Sequence, residues 1–313
     1  MVTAAGICLT LALVYPFPMS GRHWNAIFDM AHAPAFFCVF VAMAVLLDRS
    51  SLGRYRAGLN HCKLTNRRLF YLAAILFFLG LACEFTQKFV NRHPSILDIA
   101  ANGIGLAAGV LFCFRRRLDS KLSRVVSLTM IIGIMVVPVL SPASELFECI
   151  LQRYDFPKLA SFERQQEIFA WNGHEAELSI DPTWSTDGSA SLKILAASHD
   201  FPGALMVWPL TDWSNYSTLE LDVFNPNSTD LHVGVTISDT LHLKTGYEPS
   251  DRYNIQFALK PKATKRISIA LNDVADAPAT RRMEMTRISN INIFMISPAE
   301  SLRLNIDNVH LAR

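Results

Sequence analysis

The feature that most constrains this chain is the uneven distribution of its apolar residues. Long apolar runs fill residues 1–140, whereas residues 150–313 alternate apolar and polar positions as a soluble protein does. A chain of 313 residues is long enough for about two domains. We therefore expect an all-α transmembrane bundle over 1–140, followed by a separate soluble domain.

Five apolar runs are candidates for membrane spans, since a spanning helix needs roughly 20 mostly apolar residues. They cover residues 2–18, 30–47, 69–88, 97–114 and 125–140. The first run lacks a basic start and a small-residue cleavage site, so we interpret it as a retained helix rather than a signal peptide. The sequence predicts a multi-pass membrane protein with membrane lipids around it.

Basic residues predict the orientation of these spans. Loops 48–68 and 115–124 together carry eleven Lys and Arg residues, against three in the loops of the opposite side. Cytoplasmic loops hold the excess of Lys and Arg. The N-terminus is then cytoplasmic, and five spans place residues 141–313 on the outer side of the membrane.

Charge and cysteine content exclude two classes of function. A net charge of +2 is too small for the basic surface of a nucleic-acid-binding protein. All six cysteines lie before residue 150. The second half therefore has neither a disulfide framework nor a cysteine-based metal site.

A polar stripe follows one face of the fourth apolar run. Asp98, Asn102, Gly105 and Gly109 are spaced four, three and four residues apart, so they align along a helix. The Gly105-x-x-x-Gly109 end allows another helix to approach closely. The stripe therefore predicts a helix contact with polar groups at its outer end.

More polar residues lie at the outer ends of neighbouring spans. Glu84 and Gln87 are three apart and share a helix face, while Asp29 and His32 open the second helix. Ionisable groups in membrane helices normally face the bundle interior, and an Arg can pair with a carboxylate. We predict one pocket at the outer mouth of the bundle, formed by Asp29, His32, Glu84, Gln87, Arg92, Asp98 and Asn102.

The order of these residues resembles the VanZ-like family of small bacterial membrane proteins, over about residues 1–118. The resemblance rests on Glu84-x-x-Gln87 followed by Arg92, Ser95, Asp98, Asn102, Gly105 and Gly109. It departs at the second helix, where Asp29 and His32 are three apart instead of four, and Met30 replaces an expected Lys. The resemblance implies a place in the bacterial inner membrane and a link to glycopeptide-antibiotic resistance, but no defined reaction.

Three interpretations of the polar pocket remain open. The polar residues cap helices and fix their packing, or they bind or transform the headgroup of an envelope lipid or glycan. Alternatively, His32, Glu84 and Asp98 hold a metal ion, since their side chains are suitable ligands. The glycine-rich run 103–109 is not a nucleotide-binding loop, because it follows no predicted strand.

The apolar period changes to two in the second half of the chain. Residues 141–174 are predicted to be a connector, and 175–313 to be an outward-facing β-sandwich of eight or nine strands. Segments such as "STLELDVFNP" and "LHVGVTISD" alternate, and turn signals such as Asn225-Pro226 separate them.

The order of these segments over about 160–313 resembles galactose-binding-like jelly rolls, the shape of many carbohydrate-binding modules. The resemblance implies glycan binding and a structural Ca²⁺ ion at a sheet edge, with Asp307 at the matching position. Sugar binding uses aromatic faces flanked by hydrogen-bonding groups, although core packing is the commoner role of any single Trp. The candidates are Trp184, Trp208, Trp213, Tyr216, Asp222, His232, Tyr247, Arg252, Tyr253, Asn254, Gln256 and Asn292.

Three functional hypotheses follow. The first is a cell-envelope protein whose sandwich binds an envelope or extracellular glycan and whose pocket binds a lipid or glycan headgroup. The second is a membrane enzyme that modifies a lipid-linked or peptidoglycan headgroup with Glu84 and Asp98 as catalytic residues. The third is a membrane anchor that carries a protein-binding sandwich. We expect a binding protein rather than an enzyme, and the sequence leaves its ligand and oligomeric state open.

Overall fold

The computed structural model describes residues 21–50, 64–87, 95–196, 200–207, 212–298 and 301–313. The chain divides into two compact units, Met1–Leu146 and Phe147–Arg313. The predicted first span, 2–18, lies outside the described residues, as do Arg92 and Trp208.

The described residues of the first part of the chain contain four long helices. They are α1 (Arg22–Ser50), α2 (Asn66–Gln87), α3 (Ile96–Arg115) and α4 (Lys121–Asp155). All four are long and apolar enough to cross a membrane. Large apolar side chains such as Phe70, Phe78 and Val137 are more than half exposed, as expected for surfaces that contact lipid.

Two of these helices differ from their predicted bounds. Helix α1 begins at Arg22, so Asp29 and His32 lie within it and not at its start. Helix α4 continues past Pro138 and Pro142 to Asp155, well into the predicted connector. Residues 145–152 are mostly strong helix formers, which a search for apolar runs does not detect.

Helix α3 packs against α1 and α2 through small residues. Its buried positions include Ala101, Ala108 and the predicted stripe. Aromatic and leucine side chains fill the remaining space: Phe36, Phe40, Leu69, Leu72, Leu76 and Leu106.

The second unit is an antiparallel β-sandwich, as predicted. Its strands are β1 (Lys158–Ala160), β2 (Trp171–His174), β3 (Ala176–Asp181), β4 (Ser191–Ala196), β5 (Gly203–Val207), β6 (Thr218–Phe224), β7 (Leu231–Asp239), β8 (Tyr253–Leu259), β9 (Thr264–Ala270), β10 (Ile288–Met295) and β11 (Arg303–Ala312). A short helix, α5 (Leu271–Asp276), follows β9.

The strands form two sheets that enclose one apolar core. One sheet has the order β3-β4-β11-β6-β9 with β1 beside β11, and the other has the order β2-β5-β10-β7-β8. The inward positions carry the alternating apolar residues, among them Leu219, Leu221, Val233, Val235 and Ile293, all at most 1% exposed. The period of two therefore predicted the sandwich correctly, because each strand has one buried face.

Two arginine clamps fix loops of the sandwich unit. Arg281 pairs with Asp239 and Asp251 through four bonds of 2.6–2.8 Å. Arg164 forms a bidentate pair with Glu148 at 2.9 Å and also reaches Asp155 at 2.8 Å, both on α4. Bidentate arginine–carboxylate pairs combine charge with fixed geometry, so each clamp sets the position of its segment.

Candidate functional site

A buried polar cluster lies between α1 and α3. The side chains of His32 and Asn102 are joined by a hydrogen bond of 2.9 Å between Nδ1 and Oδ1. Nε2 of the same histidine is 3.9 Å from Oδ2 of Asp98. Ligand atoms of Asp29, His32 and Asp98 all lie within 4.8 Å of one another. We call these three residues, with Asn102, the His–Asp cluster.

Local backbone structure places the members of the cluster. Asp29 and His32 are three residues apart on α1, and Asp98 and Asn102 are four apart on α3, so each pair shares a helix face. Ser95 caps α3 by accepting hydrogen bonds from the backbone amides of Leu97 and Asp98. This cap fixes the first turn, from which the Asp98 side chain projects.

Glycines allow the helices of this unit to approach one another closely. A Cβ atom at Gly109 would lie 2.6 Å from the ring of Phe40 on α1. A Cβ atom at Gly80 on α2 would lie 2.7 Å from the ring of Phe36. Gly105 and Gly109, the two predicted packing residues, are both buried on α3.

The structure brings together four of the seven predicted pocket residues. Glu84 is buried on α2 at 2% exposure, but it is not one of the three residues whose ligand atoms converge. The three residues whose ligand atoms converge are therefore Asp29, His32 and Asp98. The structure does not describe the side chain of Gln87 or any part of Arg92.

A second candidate site is the outward face of the five-stranded sheet. The register aligns one row of residues across all five strands: Asn172, Leu205, Asn292, Thr236 and Asn254. The adjacent row contains His174, Gly203, Phe294, Gly234 and Gln256. Opposed residues in antiparallel strands point to the same side of a sheet, so these two rows form one surface. We call it the amide face.

The amide face contains polar atoms that are buried without a partner. Within the described part of the chain, Oδ1 of Asn292 and Nε of Arg252 form no hydrogen bond. Arg252 directly precedes β8, on the side of the strand shared by Asn254. A buried polar atom without a hydrogen bond costs about 1–3 kcal/mol, so a ligand that satisfied both atoms would gain affinity.

Aromatic and imidazole groups border the amide rows. The ring of Phe294 covers Gly234, and it forms an edge-to-face contact with Phe201 at a centroid distance of 5.8 Å. Phe201 is 53% exposed and offers an aromatic face beside the row. Burial is the main cause that lowers the pKa of His174, which favours its neutral form near pH 7.

Several predicted sugar contacts lie on this face. His232, Asn254 and Gln256 are exposed there, and Asn292 and Arg252 are partly buried beside them. Asn172, His174, Thr236 and Asn290 share the face but are not among the predicted residues. Strands β2 and β5 are too short to show an alternating pattern in the sequence. Only the strand register shows that their residues belong to the amide face.

Other predicted contacts are corrected by the structure. The side chains of Trp213 and Tyr253 both point inward. Trp213 is fully buried in the apolar core, and Tyr253 packs against that core. Tyr216 packs against Phe156 with a centroid distance of 5.4 Å. These three side chains therefore stabilise the sandwich and do not belong to the amide face.

The remaining candidates lie elsewhere on the sandwich unit. Trp184 stacks on Phe224 of the other sheet at 5.2 Å. Asp222 is buried in a bidentate pair with Arg266, which lowers its pKa. Tyr247 is 64% exposed in the loop after β7.

Asp307 holds a turn of the backbone. Its Oδ2 atom accepts hydrogen bonds from the amides of Thr186 and Asp187 at 2.6 and 2.9 Å, and Oδ1 accepts one from Asn308 at 2.7 Å. Burial is the main cause that raises the pKa of Asp307. A Ca²⁺ ion at this carboxylate would have to displace these N–H donors.

Comparison with known sequences yields no match: neither the protein-family profiles nor the curated proteins contain one. The VanZ-like resemblance therefore stays a prediction.

Solved structures give matches to about half of the chain. The chain is similar to an exo-beta-agarase at 16% identity and a TM-score of 0.40, covering 49% of this chain and 24% of the agarase. It is also similar to the family 11 carbohydrate-binding module of the cellulosomal cellulase Lic26A-Cel5E of Clostridium thermocellum, at 15% identity and a TM-score of 0.37, covering 50% of this chain and 92% of that one.

A third match is the family 30 carbohydrate-binding module of the cellulosomal cellulase Cel9D-Cel44B of the same organism. Its identity is 13% and its TM-score 0.35, over 46% of this chain and 91% of that one. At these identities and TM-scores the similarities assign no activity to this chain.

Proposed function

We propose that this protein is a membrane-anchored glycan-binding protein whose amide face contacts the sugar. The observation that carries the proposal is the pair of register-aligned rows with amide, hydroxyl and imidazole groups on one sheet surface. Amide side chains donate and accept hydrogen bonds, which matches the paired donor and acceptor character of sugar hydroxyls. A row that crosses five strands at about 4.8 Å each is about 20 Å long, enough for several sugar units.

The composition of the face favours an uncharged glycan. Asn172, Thr236, Asn254 and Gln256 carry no charge, and the cation Arg252 lies beside them at the start of β8. Phe201 supplies the apolar surface that packs against a sugar ring. A neutral oligosaccharide would find hydrogen-bonding groups along the rows and an aromatic contact at one side.

The test is binding of full-length protein in lipid nanodiscs to a panel of neutral and acidic polysaccharides and peptidoglycan fragments. The double variant Asn254→Ala and Gln256→Ala should weaken binding by tenfold or more, since each lost hydrogen bond contributes about 1 kcal/mol. Asn272→Ala on α5 is the matched control, because Asn272 is an exposed amide away from the face. Equal binding by the double variant, or retention of a protein partner with no glycan bound, would contradict the proposal and favour the protein-binding hypothesis.

The helical unit supports a second candidate function. We propose that the His–Asp cluster contacts a polar headgroup, because ionisable groups buried between membrane-capable helices commonly mark a functional site. The basic loops predict that the sandwich lies outside the membrane, and the VanZ-like resemblance implies the bacterial inner membrane. The link to antibiotic resistance is part of the VanZ-like prediction and is tested by deleting the gene and measuring glycopeptide sensitivity.

A further inference from the structure

Among the residues that the structure describes, one hydrogen bond orients the imidazole of His32. Asn102 Oδ1 is an acceptor, so His32 Nδ1 is the donor across the 2.9 Å contact. The other ring nitrogen, Nε2, then points toward the carboxylate of Asp98. In metal sites, a histidine usually binds the metal through one ring nitrogen and donates a hydrogen bond from the other to an oxygen acceptor.

The distances in the cluster suit a shared cation better than direct hydrogen bonds. The 3.9 Å between Nε2 and Oδ2 of Asp98 exceeds the 2.7–3.2 Å of a normal hydrogen bond. Ligand atoms around a first-row divalent ion lie about 2.0–2.2 Å from the metal, and hence about 3–4 Å from one another. The three ligand atoms of Asp29, His32 and Asp98, all within 4.8 Å, need only small side-chain rotations to reach that arrangement.

The spacing on α1 has the form used by metal sites in helical bundles. Asp29-x-x-His32 places a carboxylate and an imidazole three residues apart on one helix face. Carboxylate-x-x-His pairs, completed by a carboxylate from another helix, hold metals in four-helix bundles. Asp98 on α3 supplies that carboxylate here.

We propose that Asp29, His32 and Asp98 bind one divalent transition-metal ion, with Asn102 as the positioning residue for His32. The proposal is independent of glycan binding by the sandwich. One imidazole and two carboxylates suit Zn²⁺, Mn²⁺ or Fe²⁺, whereas Mg²⁺ and Ca²⁺ prefer oxygen ligands alone. A divalent ion would also offset the repulsion between the carboxylates of Asp29 and Asp98.

The experiment uses the full-length protein in detergent, stripped with a chelator and reloaded with Zn²⁺ or Mn²⁺. Elemental analysis after gel filtration should give one ion per chain. Asp98→Asn and His32→Gln should each weaken Zn²⁺ binding about 100-fold or more, and Asn102→Ala about 10–100-fold, because it leaves the ligands in place but frees the imidazole. Asp48→Asn removes a carboxylate from the same helix outside the cluster and should bind as the wild type does.

Spectroscopy of the wild-type protein tests the proposal even if a variant fails to fold. Wild-type protein loaded with Co²⁺ should show visible absorption bands, and X-ray absorption should show one imidazole among light-atom ligands. A folded wild type that retains no transition metal, or an Asp48→Asn variant that loses as much metal as Asp98→Asn, would overturn the proposal. Binding of Ca²⁺ or Mg²⁺ with no preference for Zn²⁺ or Mn²⁺ would overturn the assigned metal class.

Discussion

Gly105 of α3 lies directly against the backbone of Ala33 on α1. A Cβ atom at Gly105 would overlap the carbonyl oxygen of Ala33, and backbone atoms cannot rotate away as a side chain can. Ala33 follows His32, and Gly105 lies one turn after Asn102. This glycine contact therefore sets the helix separation at which the hydrogen bond between His32 and Asn102 forms.

Gly105→Ala should separate α1 from α3 and destabilise the helical unit by about 1–3 kcal/mol, the usual cost of overpacking. The measurement is thermal unfolding of the detergent-solubilised protein. Gly133→Ala on α4 is the control, since no atom lies within 4 Å of a Cβ at that position. Replacing a helical glycine by alanine in open space should be neutral or stabilising by up to about 1 kcal/mol. Equal effects of the two substitutions would contradict the packing role of Gly105.

Arg281→Ala should destabilise the sandwich by roughly 3 kcal/mol, because it leaves two buried carboxylates without their cation. Asp239 and Asp251 side chains are 0% and 6% exposed, and Arg281 contacts both. Arg282→Ala is the matched control, since Arg282 pairs with Asp276 where both side chains are 67% exposed. Such surface pairs contribute at most about 1 kcal/mol. Chemical unfolding of full-length protein, followed by near-ultraviolet circular dichroism, separates the two outcomes.

The same clamp predicts how stability depends on pH. Hydrogen bonding to Arg281 is the main cause that lowers the pKa of Asp251 from 3.8 to about 2. Because the folded pKa is the lower one, this carboxylate stabilises the fold fully above about pH 4, and the contribution is lost as the pH falls toward 2. In Asp251→Asn, the slope of unfolding free energy against pH between 4 and 2 should decrease by up to about 1.4 kcal/mol per pH unit. An unchanged slope would show that Asp251 is not held ionised by the clamp.

The sequence predicted features that depend on periodicity. Apolar runs located α2 and α3 to within a few residues, and alternation located β6 and β7. The spacing of Asp98, Asn102, Gly105 and Gly109 predicted one buried stripe, because a helix has a fixed number of residues per turn.

Features that depend on contacts between distant segments were predictable only in part. The sequence does not specify which carboxylate oxygens come within 4.8 Å of the His32 ring, since that depends on how the helices pack. The amide face needs the register of β2 and β5, which show no alternation of their own. Trp213 was misjudged because an isolated Trp in a loop gives no indication of which face it occupies.

The end of α4 provides the last prediction. Glu148 is 1% exposed on that helix, and the guanidinium of Arg164 is its bidentate partner. Without Arg164, the buried carboxylate keeps its desolvation cost and loses its cation, so the last two turns of α4 should open more often. Arg164→Ala should raise amide hydrogen exchange over 147–155 by about tenfold or more, which corresponds to at least about 1.4 kcal/mol of local stability. Lys158→Ala removes a nearby ion pair with Asp187 whose side chains are 41% and 42% exposed, and it should leave this exchange nearly unchanged. If both variants exchange at the wild-type rate, packing of α4 rather than the arginine clamp holds the helix end.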